Sequence, residues 1–568
     1  QAEDGIRDVE RSRGLGDVYK RQLYINMVHL AKKKKNDKTY LYLEERGWIN
    51  GKSKRLWQIY LGPEHEFKDR SRIISIPQVE TETIEFGLIA ALLSVARKLN
   101  LVKIINDFTT KRNQELSVGD HMLLAAINRC MEPVSKNQLK AWFESTVLKK
   151  IYPVCGSALD SRSYWNHYRY LTDENIELIG NEIARAVIRK FNVSFNDLLF
   201  DPTNFFTFIN PKKSNQQYPR HGHSKEGRDT LNLVNFSLFC ALDGGIPFLH
   251  LIYPGNNHDS KHFKIALKKL KQRLSSLNLD SSEITLTFDK GNLSKEAFNF
   301  IDSEKLNYIC SIRPTTQKDL LSISPKDFKM TTLPNGKKIG IMEFMRRIYG
   351  KERRIIAVYN PKQARWQREN YEFKLKKRIT DLEKFFQNRL NSKRWSNREK
   401  IIEKCRTVLG SKKFLNAVNI EISEKEGALS LSINVNEEGF KTHCLTLGKS
   451  FLMTNRTDLT ASEVVWAYRQ QYIIERAFKT LKNPRYLSIR PMYVSVDSSI
   501  RGHCFTCFLG LLLLSLLVRE LIAQGIPMSI PKAINTLKKI KITKITICLL
   551  YTSPSPRDLS TSRMPSSA

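Results

Sequence analysis

Three acidic residues, Asp201, Asp289 and Glu475, stand where carboxylates can be presented for chemistry. Asp201 opens Asp-Pro-Thr after the apolar run 196–200; proline ends regular pairing, so Asp201 is expected at the carboxyl end of a strand. Asp289 opens Asp-Lys-Gly after Ile284, Leu286 and Phe288 alternate with Thr285 and Thr287, the pattern of a half-buried strand. Glu475 lies in a stretch, 468–482, expected to be one helix: Thr460 and Glu463 form a capping box upstream, and Asn483-Pro484 closes it. Steps of seven from Tyr468 to Glu475 to Lys482 place all three on one helix face, with Gln471 beside them. Carboxylate oxygens are the ligands Mg²⁺ and Mn²⁺ prefer, and two such ions can activate the attacking oxygen of a phosphodiester exchange and stabilise the leaving one. In such a site Lys482 is expected to hold a phosphate and Tyr468 to position a DNA strand. The plain alternative for the Glu475 face is a solvated helix surface.

The elements that must position these acids read as an α/β domain. Strands 231–242 and 246–253 meet at Asp243-Gly244-Gly245, a hairpin signal, and are followed by a helix over 262–277, the strand before Asp289, another helix and a strand over 308–312. That order predicts a mixed sheet, and in open α/β sheets sites gather at strand ends. Upstream, strands over 39–43 and 55–61 with turns at Asn36-Asp37 and Asn50-Gly51 predict a small sheet with a basic edge at 32–35. From 86 to 148 the period turns helical, with Leu88, Leu92 and Val95 on one stripe. Arg129, Lys136, Lys140 and Lys149 are cations that a DNA-reading helix there would use. Downstream, short strands (339–344, 355–359, 428–435) flank a long helical stretch, 361–409, in which Leu375, Ile379, Leu382 and Phe386 form an apolar stripe. Lys377 and Arg378 belong to the cations crowding its other surface, and Trp366 and Trp395 sit among them. That suits a phosphate-tracking face with aromatic platforms, or else a solvated helix with a packed tryptophan. A strand over 451–454 then returns the chain to the Glu475 helix.

Residues 12–22 can be encoded so that their reverse complement, read one base out of frame, translates as 548–557, and 1–8 and 562–568 are related in the same way. Segments 1–22 and 548–568 are therefore expected to be translated adaptor, the native chain starting near Leu23 or at Met27 and losing its own C-terminus near Ile547. The whole chain carries +36; the leading segment holds five basic and five acidic groups and the trailing one two basic and one acidic, so +35 remains. Such charge on a foldable chain calls for a polyanion, nucleic acid before anionic membrane. The charge-free run 504–518 is shorter than the roughly 18 residues of a membrane span, so a buried helix and no membrane insertion are expected. Scattered cysteines, with Cys504 and Cys507 in that run, suggest a reducing cytoplasm and no structural metal. His221, His223 and His258-Asp259 are rival ligands. Gly51-Lys52-Ser53 and Gly448-Lys449-Ser450 lack the upstream glycine of a P-loop, so no nucleotide cofactor is expected.

The acids and their surroundings resemble DDE-type insertion-sequence transposases with a ribonuclease-H-like domain, in the branch marked by Tyr-x2-Arg-x3-Glu-x6-Lys. Tyr468, Glu475 and Lys482 keep that spacing, while Gln471 stands where the signature has arginine; either Arg469 takes its part or the arginine is dispensable. Asp201-Pro202-Thr203, Gly222-His223-Ser224-Lys225, Pro254-Gly255-Asn256, 287–291 and Arg490-Pro491 extend the resemblance across most of 27–547. It implies an α/β fold with a ribonuclease-H-like catalytic core (191–315 and 451–547) interrupted by a basic β-rich and helical insertion (316–450). A small β unit (23–80) and a helical DNA-binding domain (81–190) precede that core. It further implies two Mg²⁺ ions, with Mn²⁺ able to substitute, on Asp201, Asp289 and Glu475. DNA contacts would come from Tyr468, Arg469, Gln471, Lys482, Lys377, Arg378, Trp366 and Trp395. The partners would be terminal inverted repeats and target DNA, bound by a homodimer in a bacterial, nucleoid-associated cytoplasm. The alternatives are a nuclease of the same fold without strand transfer, and a degenerate copy that only binds DNA.

Overall fold

The computed structural model describes residues 27–49, 52–65, 78–110, 115–154, 156–209, 216–492, 494 and 496–548. The expected adaptor segments, Cys548 apart, and the turn expected at Asn50-Gly51 lie outside the described residues. The chain divides into two compact units, Ile84–Ile542 and a smaller one formed by the residues before and after it. In the smaller unit β1 (Met27–Lys35), β2 (Lys38–Ile49) and β3 (Lys52–Pro63) make an antiparallel sheet. The chain turns between β1 and β2 at Asn36 and Asp37, whose φ of 49° and 57° are left-handed values that these short polar residues tolerate. Strand β4 (Gln78–Glu85) pairs with Lys541–Cys548.

The larger unit begins with helices. Gly87–Leu99 buries Leu88, Leu92 and Val95, as its periodicity predicts. Helix Val118–Met131, opened by a reciprocal Ser117–Asp120 capping box, buries twelve of its fourteen residues, so it has no face left to enter a DNA groove. Of the four cations of this region, one is buried and one exposed, and two are half-buried. Lys136 is 7% exposed, with its ammonium 5.2 and 5.7 Å from the rings of Tyr164 and Tyr168, and burial pushes its pKa down to about 7. Arg129 donates to the Val134 carbonyl at 3.2 Å, while Lys140 is exposed and Lys149 half-buried. Helix Asp497–Ala523 packs against Val118–Met131. It is long and apolar enough to cross a membrane, yet 72% of its apolar window is buried inside the protein, Cys504 and Cys507 included.

The main sheet has ten strands. At its centre β5 (Asp197–Thr207) lies between parallel β9 (Thr285–Phe288) and antiparallel β7 (Asn232–Ala241). On its far side β7 carries β8 (Pro247–Pro254) and the short β6 (Arg220–His221), and β9 carries parallel β10 (Asn307–Ile312). The alternating β9 is buried at all four residues rather than half-buried, because both faces are covered. Phe288 packs on Phe263 of helix Asp259–Ser276 and Phe298 of helix Lys295–Ser303, and helix Ala461–Arg469 lies against the same strand.

Beyond β10 the sheet continues antiparallel through β16 (Lys449–Thr454), β13 (Lys351–Tyr359), β12 (Lys338–Ile348) and β11 (Lys329–Thr332). Strands expected within an insertion are thus edge strands of the main sheet, held there by the pairing of β13 with β16. What leaves the sheet is the segment from Asn360 to Gly448, clasped at its base by Asn360 N–H donating to the Gly448 carbonyl at 2.8 Å. It has its own core, in which Leu375, Leu382 and Phe386 are buried, and a hairpin of β14 (Val418–Lys425) with β15 (Ala428–Val435). The single helical stretch expected over 361–409 is two helices, Pro361–Gln387 and Arg398–Leu409. The chain turns through Asn391 at φ 67°, and Asn397 caps the second helix from its side chain.

One buried ion pair fastens this edge of the sheet. Arg353, its side chain 3% exposed, donates to both oxygens of Asp302 (3.2 and 2.8 Å), to the Tyr308 hydroxyl (2.8 Å) and to the Ile348 carbonyl (3.0 Å). Arg353→Ala would leave the half-buried Asp302 carboxylate with only Lys351 at 3.6 Å and should lower stability by about 3 kcal/mol in chemical denaturation. Lysine should not restore it, lacking the planar fork that meets both oxygens.

Candidate active site

Register brings the first two acids together. Phe200 of β5 and Phe288 of β9 are paired on adjacent parallel strands, so Asp201 and Asp289, each one residue further on, emerge on the same face about 4.8 Å apart in strand spacing. Cys310 of β10 pairs with Phe288, which puts Ser311 next in the row. Contrary to expectation, Asp201 does not end its strand: β5 runs on through Pro202 to Thr207, paired with β7 throughout. Pairing with β9 stops at Phe200, so from Asp201 onward β5 is an edge on that side, where a sheet tolerates proline.

Asp289 is held by two hydroxyls on one oxygen. Ser311 Oγ donates to Asp289 Oδ1, and the Tyr468 hydroxyl donates to the same atom at 3.2 Å. Tyr468 lies in the last turn of helix Ala461–Arg469, whose Val464 and Val465 are buried against the sheet. Here the expected single helix is broken. Gln470, Gln471 and Ile473 N–H groups each bond three residues back, tightening the chain before a second helix, Tyr472–Leu481, begins. That helix buries Ile474, Ala477, Phe478 and Leu481, and leaves Glu475 exposed in its first turn. Lys482 follows its end and donates to Thr203 Oγ1 at 3.0 Å, two residues along β5 from Asp201. Tyr468 and Lys482 therefore both reach the acid-bearing face, across a helix break that seven-residue spacing does not reveal.

The loop after β6 supplies groups that sequence reasoning did not single out. Gly222 and Gly255, in two of the quoted motifs, cross backbone to backbone: a Cβ on Gly222 would lie 2.3 Å from the Gly255 carbonyl oxygen. The close crossing carries Lys225 over the site. Its ammonium donates to the Pro202 carbonyl at 2.6 Å and to Asp259 Oδ2 at 3.1 Å, while the Tyr253 hydroxyl donates to Asp259 Oδ1 at 3.0 Å. The next residue, Glu226, pairs with Lys482 at 3.0 Å and with Arg490 at 2.9 Å. Neighbouring residues of one loop thus bind the strand of Asp201 and the end of the Glu475 helix. The signal available was the opposite charge of Lys225, which ends the Gly-His-Ser-Lys motif, and Glu226, which follows it.

The electrostatics centre on Asp201. Burial, first, raises its pKa to about 7; Lys225 opposes this, and Asp289, Asp259 and Glu475 push it further up. Oxygen-only donors of this kind suit Mg²⁺ or Mn²⁺, and a carboxylate so disfavoured gains from any cation placed among its neighbours. Among the described residues no three histidine, cysteine or acidic side chains already form a closed metal cage. Asp289, Asp259 and Glu475 lie near enough to Asp201 to raise its pKa without closing around a common point.

Of the remaining candidates, Arg469 and Gln471 are half-buried beside the helix break, and burial lowers the Arg469 pKa. Trp366 is 64% exposed and Lys377 is exposed. Arg378 and Trp395 are half-buried and make contacts within the inserted segment. Arg378 donates to the Val408 and Leu409 carbonyls that end helix Arg398–Leu409, and Trp395 packs edge-on against Phe385 and Phe386. Lys449 of the P-loop-like tripeptide is buried, donating to the Leu321 and Ile323 carbonyls.

Residues 197–510, more than half of the chain, match the family described as Transposase DDE domain. No curated protein matches. A solved structure, the cryo-EM structure of piggyBac transposase synaptic complex with hairpin DNA, is similar at 9% identity and a TM-score of 0.36 over 79% of each chain, too remote a likeness to bear on mechanism. The match runs from the first residue of β5 through Asp201, Asp289 and the Glu475 helix, and the chain belongs to the DDE transposase family.

Proposed function

We propose that this DDE transposase serves a bacterial insertion sequence of the Tyr-x2-Arg-x3-Glu-x6-Lys branch. It would cut one phosphodiester at each element end to free a 3′-hydroxyl and then join that hydroxyl to target DNA. The observation that carries the reading is the register of Asp201 and Asp289 on adjacent parallel strands, with Glu475 near enough to raise the Asp201 pKa. Strand order β8-β7-β5-β9-β10, with β9 and β10 parallel to β5, supports a ribonuclease-H-like core.

Asp201, Asp289 and Glu475 would hold two divalent ions, Mg²⁺ or in its place Mn²⁺, whose charge activates the attacking oxygen and stabilises the leaving one. Ser311 and Tyr468 fix the Asp289 carboxylate through Oδ1. Lys482, already beside Thr203 on the acid-bearing strand, offers its ammonium to a backbone phosphate. Lys225 supplies a compensating charge next to Asp201 and Asp259. The protein would act as a homodimer on terminal inverted repeats, in the nucleoid-associated cytoplasm.

The test is strand transfer from a duplex that carries the element's terminal repeat, pre-cleaved to expose the 3′-hydroxyl. Joined products in Mg²⁺ are expected with a plasmid target. Cleavage of uncut ends without joining would assign a nuclease instead, and binding with neither reaction would mark a degenerate copy.

A further inference from the structure

The smaller unit carries a surface that the catalytic site does not explain. Between residues 27 and 65 there are nine lysines and arginines against four aspartates and glutamates. Strand alternation sorts them by face. Glu44 lies directly across from His29 on β1 and from Gln58 on β3, and Arg46 lies across from Arg55; this face also holds Lys33, Tyr40, Tyr42 and Tyr60. The opposite face holds Leu30, Leu43, Trp57 and Ile59 with Lys32, Lys34 and Lys54.

The two faces balance charge differently. On the second, Lys32 has Glu64 at 2.7 Å and Lys34 has Asp37 at 3.6 Å. On the first, the single carboxylate of Glu44, 4% exposed, is shared by Arg46 (3.2 Å), His29 (3.3 Å), Lys33 (3.6 Å) and Arg55 (3.8 Å). One carboxylate cannot neutralise three permanent cations and a histidine, so this face keeps excess positive charge, and the shared anchor holds the cations in a fixed fan. Their side chains remain 40–52% exposed. Aromatic rings lie among them: Lys33 Nζ is 4.6 Å over the Tyr42 ring, and Tyr60 packs on Tyr42 and Tyr40 at 5.2 and 6.1 Å. All residues of β3 from Lys52 to Tyr60 are exposed.

We propose that the Lys33–Arg46–Arg55 face of this sheet is a second DNA-binding surface, which grips backbone phosphates. Three strands at about 4.8 Å spacing set the cations about 10 Å apart across the sheet, a spread suited to phosphates along a backbone, and β-sheets are an established DNA-binding element. The charge excess matches a polyanion, and of the cations expected on a DNA-reading helix Lys136 is buried and Arg129 half-buried. The inference rests on DNA as the partner and not on the roles of the three acids.

The full-length protein is titrated onto a labelled 30-bp mixed-sequence duplex at several salt concentrations in EDTA, so that cleavage plays no part. Lys33→Gln/Arg46→Gln/Arg55→Gln should flatten the slope of log Kd against log salt by about 2–3 and weaken binding at least about tenfold, since each phosphate contact contributes about 0.9 to the slope. Lys32→Gln/Lys34→Gln/Lys54→Gln removes the same charge from the other face and should give no more than about a third of either effect. Equal losses from both triples, or binding by the first triple within twofold of wild type, would overturn the proposal. Should the first triple melt early, Arg55→Gln alone carries the test: a slope lowered by about 1 supports it, and an unchanged slope overturns it.

Discussion

Asp289→Asn is expected to reduce Mg²⁺-dependent cleavage of terminal-repeat DNA by about a thousandfold or more while leaving DNA affinity within a few-fold. Asparagine has the same shape, and its carbonyl oxygen can still accept from Ser311 and from Tyr468, so the row across β9 and β10 should keep its geometry. What goes is the negative charge that would hold a divalent ion, and metal-supported charge stabilisation is worth several kcal/mol of a phosphodiester barrier, each 1.36 kcal/mol being tenfold in rate. Tyr468→Phe leaves the charge and removes one donor, so its loss should be nearer tenfold. Cleavage by the Asp289→Asn protein at the wild-type rate would remove Asp289 from the site.

The two strand acids were legible because each follows a short apolar run; what joins them, the pairing of Phe200 with Phe288, is a long-range register that no local pattern encodes. Pro202 misled for a related reason. Proline is excluded only where a neighbour needs its N–H, and β5 loses its β9 neighbour from Asp201, one residue before Pro202. The break at Gln470 and Gln471 carries neither glycine nor proline, so tertiary packing and not propensity sets it. Strands β11 to β13 were assigned to the insertion because their partner, β16, lies beyond the inserted segment in sequence. Lys136 shows the limit of reading charge as surface: a cation over tyrosine rings is compatible with burial, and composition does not distinguish the two.

The second large effect concerns stability. The Asp201 carboxyl titrates at about 7 in the folded protein against an ordinary value of 3.8, so the native state holds this proton more tightly than the unfolded chain. The sign follows: the stability associated with the group is fully present below about pH 4 and is lost as pH rises through 7. At pH 8 the metal-free protein would then carry a penalty of up to about 4 kcal/mol that a neutral carboxamide avoids. Asp201→Asn, inactive in cleavage, should accordingly melt several degrees above wild type at pH 8 in EDTA, less so at pH 5, and at nearly the same temperature at pH 4. Adding Mg²⁺ at pH 8 should narrow the gap from the wild-type side, because a cation bound by the folded acids offsets the repulsion among them. An asparagine variant no more stable than wild type at pH 8 would show that Asp201 is not strained by its neighbours. The convergence of Asp289, Asp259 and Glu475 upon it would then lose its electrostatic support, whatever the cleavage assay returned.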